Sequence, residues 1–272
     1  MTNKLRHIAQ FILLGALFAG SSVFAQSIVG SKHDFTTGGS AQGGGTSATD
    51  QVCVFCHTPH GADTTAPVPL WNKVLNSEQT RFVRYSTLAT PSFDALEAPV
   101  GSVSLACLSC HDGTQAMDVV LNQPGSDGYN PAGEQIDTGA IGAMTGVPVP
   151  MLGEDLSNDH PISMQYGGGG MDINDPDGLY AGTTNDPDFE KAMKATINNQ
   201  PIWWVDSDVG TAGTREKTDM LLYTRADIGA AQPFVECGSC HDPHNSDNFT
   251  NQVSFLRTSN AASAVCTACH IK

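Results

Sequence analysis

Three observations predict a chain of mostly coil, with a few short helices and little or no sheet, organised by covalent anchors rather than by a large apolar core. Gly and Pro are abundant, at 28 and 15 of 272 residues, and both interrupt regular elements. Aromatics make up 7% and charged residues 15%, the latter below the usual quarter, so the core is expected to be thin. All eight Cys fall in four copies of one pentapeptide, which gives the chain fixed points that packing alone would not.

Residues 1–25 read as a secretory signal peptide. Lys4 and Arg6 make a positive start, 11–20 is a short apolar run, and Val23-Phe24-Ala25 forms an A-x-A-like cleavage pattern. The run is too short for a comfortable span, and no later stretch is long and apolar enough for one. The mature chain is therefore expected to be exported, without a membrane span, and to start near Gln26. Residues 36–50, rich in Gly, Ser and Thr, read as a surface loop, and 122–185, with four glycines in a row at 167–170, reads as another. Within it Asp172, Asn174, Asp175 and Asp177 precede Gly178 and loosely resemble a calcium loop. Pro176 occupies a ligand position, so a solvated acidic turn is the preferred reading. In 186–198 acidic residues come early, Lys191 and Lys194 later, and Phe189, Met193 and Ile197 recur every four residues, which predicts a short amphipathic helix. A second helix is expected over 215–228. Trp203 and Trp204 are assigned to packing.

The four pentapeptides are Cys53-Val-Phe-Cys56-His57, Cys107-Leu-Ser-Cys110-His111, Cys237-Gly-Ser-Cys240-His241 and Cys266-Thr-Ala-Cys269-His270. Cys-x-x-Cys-His is the attachment signature of c-type haem. Two thiols two residues apart each add to one vinyl group of the macrocycle, and the following His reaches its iron. Zinc knuckles need no His after every second Cys, and redox-active Cys-x-x-Cys follows a strand in a thioredoxin-like unit, a context missing from all four. Each pentapeptide is expected on a helical turn. The fold expected is thus a haem-organised, mostly coil tetrahaem domain over 26–272. One haem pair lies at 53–111, a haem-poor loop segment at 112–236, and a second pair at 237–272.

Besides His7 of the expected leader there are eight His: the proximal His57, His111, His241 and His270, and His33, His60, His160 and His244. Four irons with two axial ligands each need eight, so the supply matches bis-histidine ligation throughout. Met144, Met151, Met164 and Met171, in Gly/Pro-rich loops, and Met193 and Met220 are read mainly as packing residues. His60 follows His57 by three residues, and His244 follows His241 by three. Three residues cannot reach round a macrocycle, so each must serve a haem other than the one it follows. His33 is expected on the first haem, His160 on the second or third, and His244 on the fourth.

The stretches CVFCHTPHG and CGSCHDPHN repeat a C-x-x-C-H-x-P-H pattern, a sign of duplicated modules. With the four motifs, the SKHDF stretch before the first and the VCTACHIK terminus, the chain resembles the doubled-CXXCH multihaem cytochromes. More closely, it is similar to the tetrahaem outer-membrane cytochrome E group of metal-reducing bacteria and its filament-forming relatives. The segment 112–236 adds nothing to the likeness. The resemblance implies little regular structure, a continuous haem stack, and a homopolymer in which His60 ligates a haem of the adjacent subunit.

The net charge of −15 argues against nucleic-acid partners, which call for a basic face, and against docking on anionic lipid. The expected function is electron conduction by four covalently bound haem c groups, toward redox partner proteins or external acceptors. The expected location is extracellular or outer-membrane associated, otherwise periplasmic. A monomeric periplasmic shuttle is the main rival. A multihaem reductase needs an open iron position, which eight His leave no room for, so no enzyme activity is expected.

Overall fold

The computed structural model describes residues 28–271 apart from 37, 40, 42–48, 76–78, 89–94, 124–135, 138–140, 145–149, 175–183, 208 and 246–254. The expected signal peptide, most of the 36–50 loop and positions 175–178 of the acidic loop lie outside the described residues.

The chain is not the mostly coil, sheet-poor structure that its composition suggests. It is a mixed α/β fold with three short helices: α1 (Ser102–His111), α2 (Cys237–Cys240) and α3 (Ala264–Thr267). Seven strands are described: β1 (Val119–Val120), β2 (Ile136–Asp137), β3 (Met164–Gln165), β4 (Met193–Ile197), β5 (Gln200–Val205), β6 (Met220–Arg225) and β7 (Ala230–Val235). The first two pair with each other, and the others form one antiparallel sheet in the order β3-β7-β6-β5-β4. All seven lie in the 112–236 segment that was expected to be loop.

Both predicted helices are strands, for local reasons. Asn198 and Asn199 adopt φ of 51° and 62°, the two positive values of a type I′ hairpin turn, which asparagine tolerates. The chain folds back so that Met193 faces Trp204 and Ile197 faces Gln200. A spacing of four puts Met193 and Ile197 on one face of a strand as readily as of a helix, and the paired asparagines decide between them. In β6 the burial alternates: Met220 and Leu222 are buried while Leu221 and Tyr223 are half-exposed, the two-residue period of a strand. Gly229, in the left-handed region at φ 66°, helps turn the chain into β7.

The apolar core is divided into three small clusters, each packed against attachment cysteines. Trp203, Val205, Met220, Leu222, Tyr166 and Met171 gather with Cys240 and Cys269 at their edge. Trp71, Leu75, Phe82, Leu105 and Leu108 surround Cys56. Phe35, Val54, Phe55 and Met117 reach Cys56 and Cys110. Trp203 and Trp204 are buried, as packing predicted. No described helix is long and apolar enough to cross a membrane.

One buried polar group joins the helices of the second and third motifs. The Arg225 side chain is fully buried and donates to Glu236 Oε1 at 3.1 Å, to Asp227 Oδ2 at 2.8 Å and to the Pro99 carbonyl at 2.8 Å. Ser104 of α1 donates to Glu236 Oε2 at 2.6 Å and accepts from the Cys237 N–H at 2.9 Å. The close approach requires Gly101, where a Cβ would lie 2.5 Å from the Arg225 guanidinium. Burial pushes the Glu236 carboxyl up to about 7, against the downward pull of the Ser104 hydrogen bond and the Arg225 charge.

Between the ordinary value of 4.5 and about 7, the folded chain holds a proton at Glu236 that the unfolded chain releases. The contribution of this group to stability is therefore complete below pH 4.5 and is lost as the pH rises through about 7. Glu236→Gln is expected to flatten the fall in Tm across that window, read by thermal melts at a series of pH values.

Candidate haem sites

Each pentapeptide forms a single turn that closes from the proximal His back to the first Cys. The His N–H donates to the carbonyl four residues earlier in three motifs: His57 to Cys53 at 2.8 Å, His241 to Cys237 at 3.0 Å and His270 to Cys266 at 2.9 Å. The second motif is the end of α1. The expected helical turns are present at all four motifs. A neighbouring strand-like segment then fixes each turn. The Cys56 carbonyl accepts from Asn72 N, that of Cys240 from Arg257 N and that of Cys269 from Glu190 N, each at 2.8 Å, and Leu152 N donates to the His111 carbonyl at 2.8 Å.

The duplicated C-x-x-C-H-x-P-H stretches share more than sequence. His57 bridges to Trp71 and His241 to Leu256. Thr58 N donates to the Leu70 carbonyl at 2.9 Å and Asp242 N to the Phe255 carbonyl at 2.8 Å. Leu70 and Phe255 both take positive φ, 56° and 67°. The sequence repeat is thus a structural repeat.

None of the eight cysteines is paired in a disulfide. Burial pushes Cys56 and Cys269 up to about 12 and Cys240 up to about 11, which leaves them as neutral thiols and disfavours a redox-active dithiol. The attachment points approach one another between motifs. The Cys107 and Cys237 thiols are in hydrogen-bond contact, and Cys56 lies near Cys110 and Cys269 near Cys240.

Three of the four remaining His face a proximal His. Ring centres are 6.1 Å apart for His33 and His111, 6.1 Å for His57 and His244, and 6.4 Å for His160 and His270. A metal–imidazole bond is about 2.0 Å and the ring centre lies roughly 1.1 Å further, so two imidazoles on opposite sides of one metal have centres about 6.2 Å apart. The observed pairs have this separation. Among the described residues no three His, Cys, Asp or Glu converge as a direct metal-ion site.

The structure places these partners differently from the sequence-based expectation. His33 meets His111 of the second motif rather than His57, His160 meets His270 of the fourth, and His244 meets His57 of the first. Loop length permits each alternative, and the tertiary fold chooses among them. Burial pushes His33 down to about 4, with His111, His241 and His244 adding to the effect. His60 is exposed; its carbonyl accepts from Thr58 Oγ1 at 2.9 Å and from Asn122 Nδ2 at 3.1 Å.

The ring nitrogens are oriented for the same chemistry. Nδ1 of His57 lies 2.8 Å from the Pro69 carbonyl, that of His111 2.7 Å from Pro150, and that of His160 3.1 Å from Pro161. Such a bond fixes the tautomer and leaves Nε2 for a metal. These residues fit haem c: paired thiols on a turn with a proximal His in each motif, and a second imidazole facing that His in three of them. Sequence reasoning missed the carbonyl partners, because any residue supplies a carbonyl and no composition signal marks it. Met164, Met171, Met193 and Met220 are buried, in line with packing.

Residues 232–272 match the doubled CXXCH motif family. The stretch holds the third and fourth pentapeptides and is a haem c-binding motif of the kind found in electron-transfer cytochromes c. No curated protein matches the chain.

Asn72 holds the first site together. Fully buried, it donates to the Val54 carbonyl at 2.6 Å and the Asn122 carbonyl at 2.9 Å, and accepts from Asn122 N at 2.9 Å. Asn72→Ala leaves these groups unpaired, so a loss of about 2–4 kcal/mol is expected. Denaturant titration of the haem-loaded chain checks it.

Proposed function

We propose that this protein is an exported tetrahaem c-type cytochrome that conducts electrons along a chain of haems, and that it does so as a polymer. The observation that carries the reading is the set of three opposed His pairs, each containing the proximal His of a Cys-x-x-Cys-His turn, at 6.1–6.4 Å between ring centres. When bound, each haem supplies an iron that cycles between Fe(III) and Fe(II) one electron at a time.

The chain's own residues do the rest. Cys53 with Cys56, Cys107 with Cys110, Cys237 with Cys240 and Cys266 with Cys269 anchor the macrocycles. His57 with His244, His111 with His33 and His270 with His160 would hold the irons and leave no position for a substrate. The contact of Cys107 with Cys237 and the nearness of Cys56 to Cys110 and of Cys240 to Cys269 keep successive attachment points close, so electrons have short steps. Bis-imidazole ligation favours lower potentials than His/Met ligation.

Three pairs use six of the eight expected ligands, and His60 is not among them. His60 is exposed, and the resemblance to filament-forming cytochromes assigns its counterpart to an adjacent subunit. Ligation of a haem by His60 of the next copy would make assembly and conduction depend on one bond. The acidic charge suits the rival reading, a soluble shuttle steered to a basic partner, and the oligomeric state separates the two.

The purified mature protein is expected to gain the mass of four haems, with a low-spin spectrum and filaments under the electron microscope. Fewer than four additions by mass spectrometry contradicts the tetrahaem reading. In His60→Ala four haems remain attached, one turns high-spin, and filaments are lost. Filaments with four low-spin haems in that variant contradict the role of His60.

A further inference from the structure

The two duplicated modules superpose in backbone pattern but differ in charge at one place. The residue after the proximal His is Thr58 in the first and Asp242 in the second. Both occupy the same position, their N–H groups donating to Leu70 and Phe255. Thr58 is buried and its hydroxyl donates to the His60 carbonyl at 2.9 Å. Asp242 Oδ1 accepts from the His244 N–H at 2.9 Å and lies 3.3 Å from His244 Nδ1. Its Oδ2 lies 3.8 Å from the Arg257 guanidinium, which leaves Oδ1 to the imidazole. Of the four ring nitrogens Nδ1 with a described hydrogen-bond partner, those of His57, His111 and His160 face neutral proline carbonyls. That of His244 faces a carboxylate.

His244 in turn faces His57, 6.1 Å away. We propose that Asp242 is a positioning residue that lowers the reduction potential of the haem held between His57 and His244, below what a neutral partner would give. The inference rests on the haem reading above. An imidazole that donates Nδ1–H to a carboxylate becomes a more basic ligand, and hydrogen bonding around the ligands is one of the levers that set a haem potential. A more electron-rich ligand favours Fe(III), which carries one more positive charge than Fe(II). Arg257 opposes part of the effect by drawing on the same carboxylate, and Lys217 adds a second positive charge nearby. The haem between His57 and His244 is then set below the two whose ligands His111 and His160 face proline carbonyls.

The test is spectroelectrochemical titration of the haem-loaded full chain, after a pyridine haemochrome assay has counted its haems. Asp242→Asn keeps an oxygen acceptor for both His244 N–H groups and removes only the charge. One of the four one-electron waves is expected to move to higher potential. The Fe(II)/Fe(III) ratio of that haem at fixed potential should rise about tenfold, which is about 59 mV for one electron. The other three waves stay, and all haems remain attached and low-spin. Asp242→Thr, which copies Thr58, is expected to move the same wave the same way. Four unmoved waves in both variants overturn the inference, as does a uniform shift of all four, which would mark a general charge effect rather than one acting through His244. A wild-type chain that carries no haem in the first assay overturns the haem reading itself, and this inference with it.

Discussion

The bond from the proximal His N–H back to the first Cys carbonyl closes a turn of five residues in three motifs, the second motif ends α1, and the rest of the structure is arranged to hold these four turns. Each apolar cluster is too small to be a core alone, and each has attachment cysteines at its edge. Each turn is clamped by a backbone hydrogen bond from a distant segment: Asn72, Leu152, Arg257 or Glu190. The five-stranded sheet has the same purpose at the C-terminal end. Its Trp203, Val205 and Leu222 face Cys240, Cys269 and Ala268, so the sheet is a platform for the third and fourth motifs.

The two halves of the chain meet at polar groups as well as apolar ones. The Cys107 and Cys237 thiols touch, and the Arg225–Glu236–Ser104 cluster ties α1 to the start of α2 directly beside them. Buried ion pairs add little net stability and are costly to break, so their value here is in placement. They fix the second and third Cys-x-x-Cys-His motifs relative to each other. The opposed His pairs cross the same boundary: His33 from the N-terminal end lies against Phe255 at 4.3 Å, and His244 from the C-terminal half faces His57.

The four Cys-x-x-Cys-His turns were legible because that pattern needs a fixed local spacing, and the third and fourth of them lie in the stretch that matches the doubled CXXCH motif. Which distal His faces which motif was not, since His33, His160 and His244 sit on segments long enough to reach several sites. The sheet was missed because Gly and Pro content argued for coil, and because Phe189, Met193 and Ile197 fit a helical period. The contrary signal, Asn198-Asn199 between two runs rich in β-branched and aromatic residues, was present and was outweighed. Asp242 was visible as the one charged difference between CHTPH and CHDPH, but its meaning required the ring of His244 to be placed against His57.

The central claim is that the opposed imidazoles are axial pairs, each pair holding one iron. Anomalous scattering at the iron edge from crystals of the haem-loaded protein tests it most directly, because it locates each iron without assumptions about the ligands. The account predicts one iron midway between His57 and His244, one between His33 and His111, and one between His160 and His270. An iron at any of these proximal His whose second ligand is a different residue, or no residue at all, would contradict it.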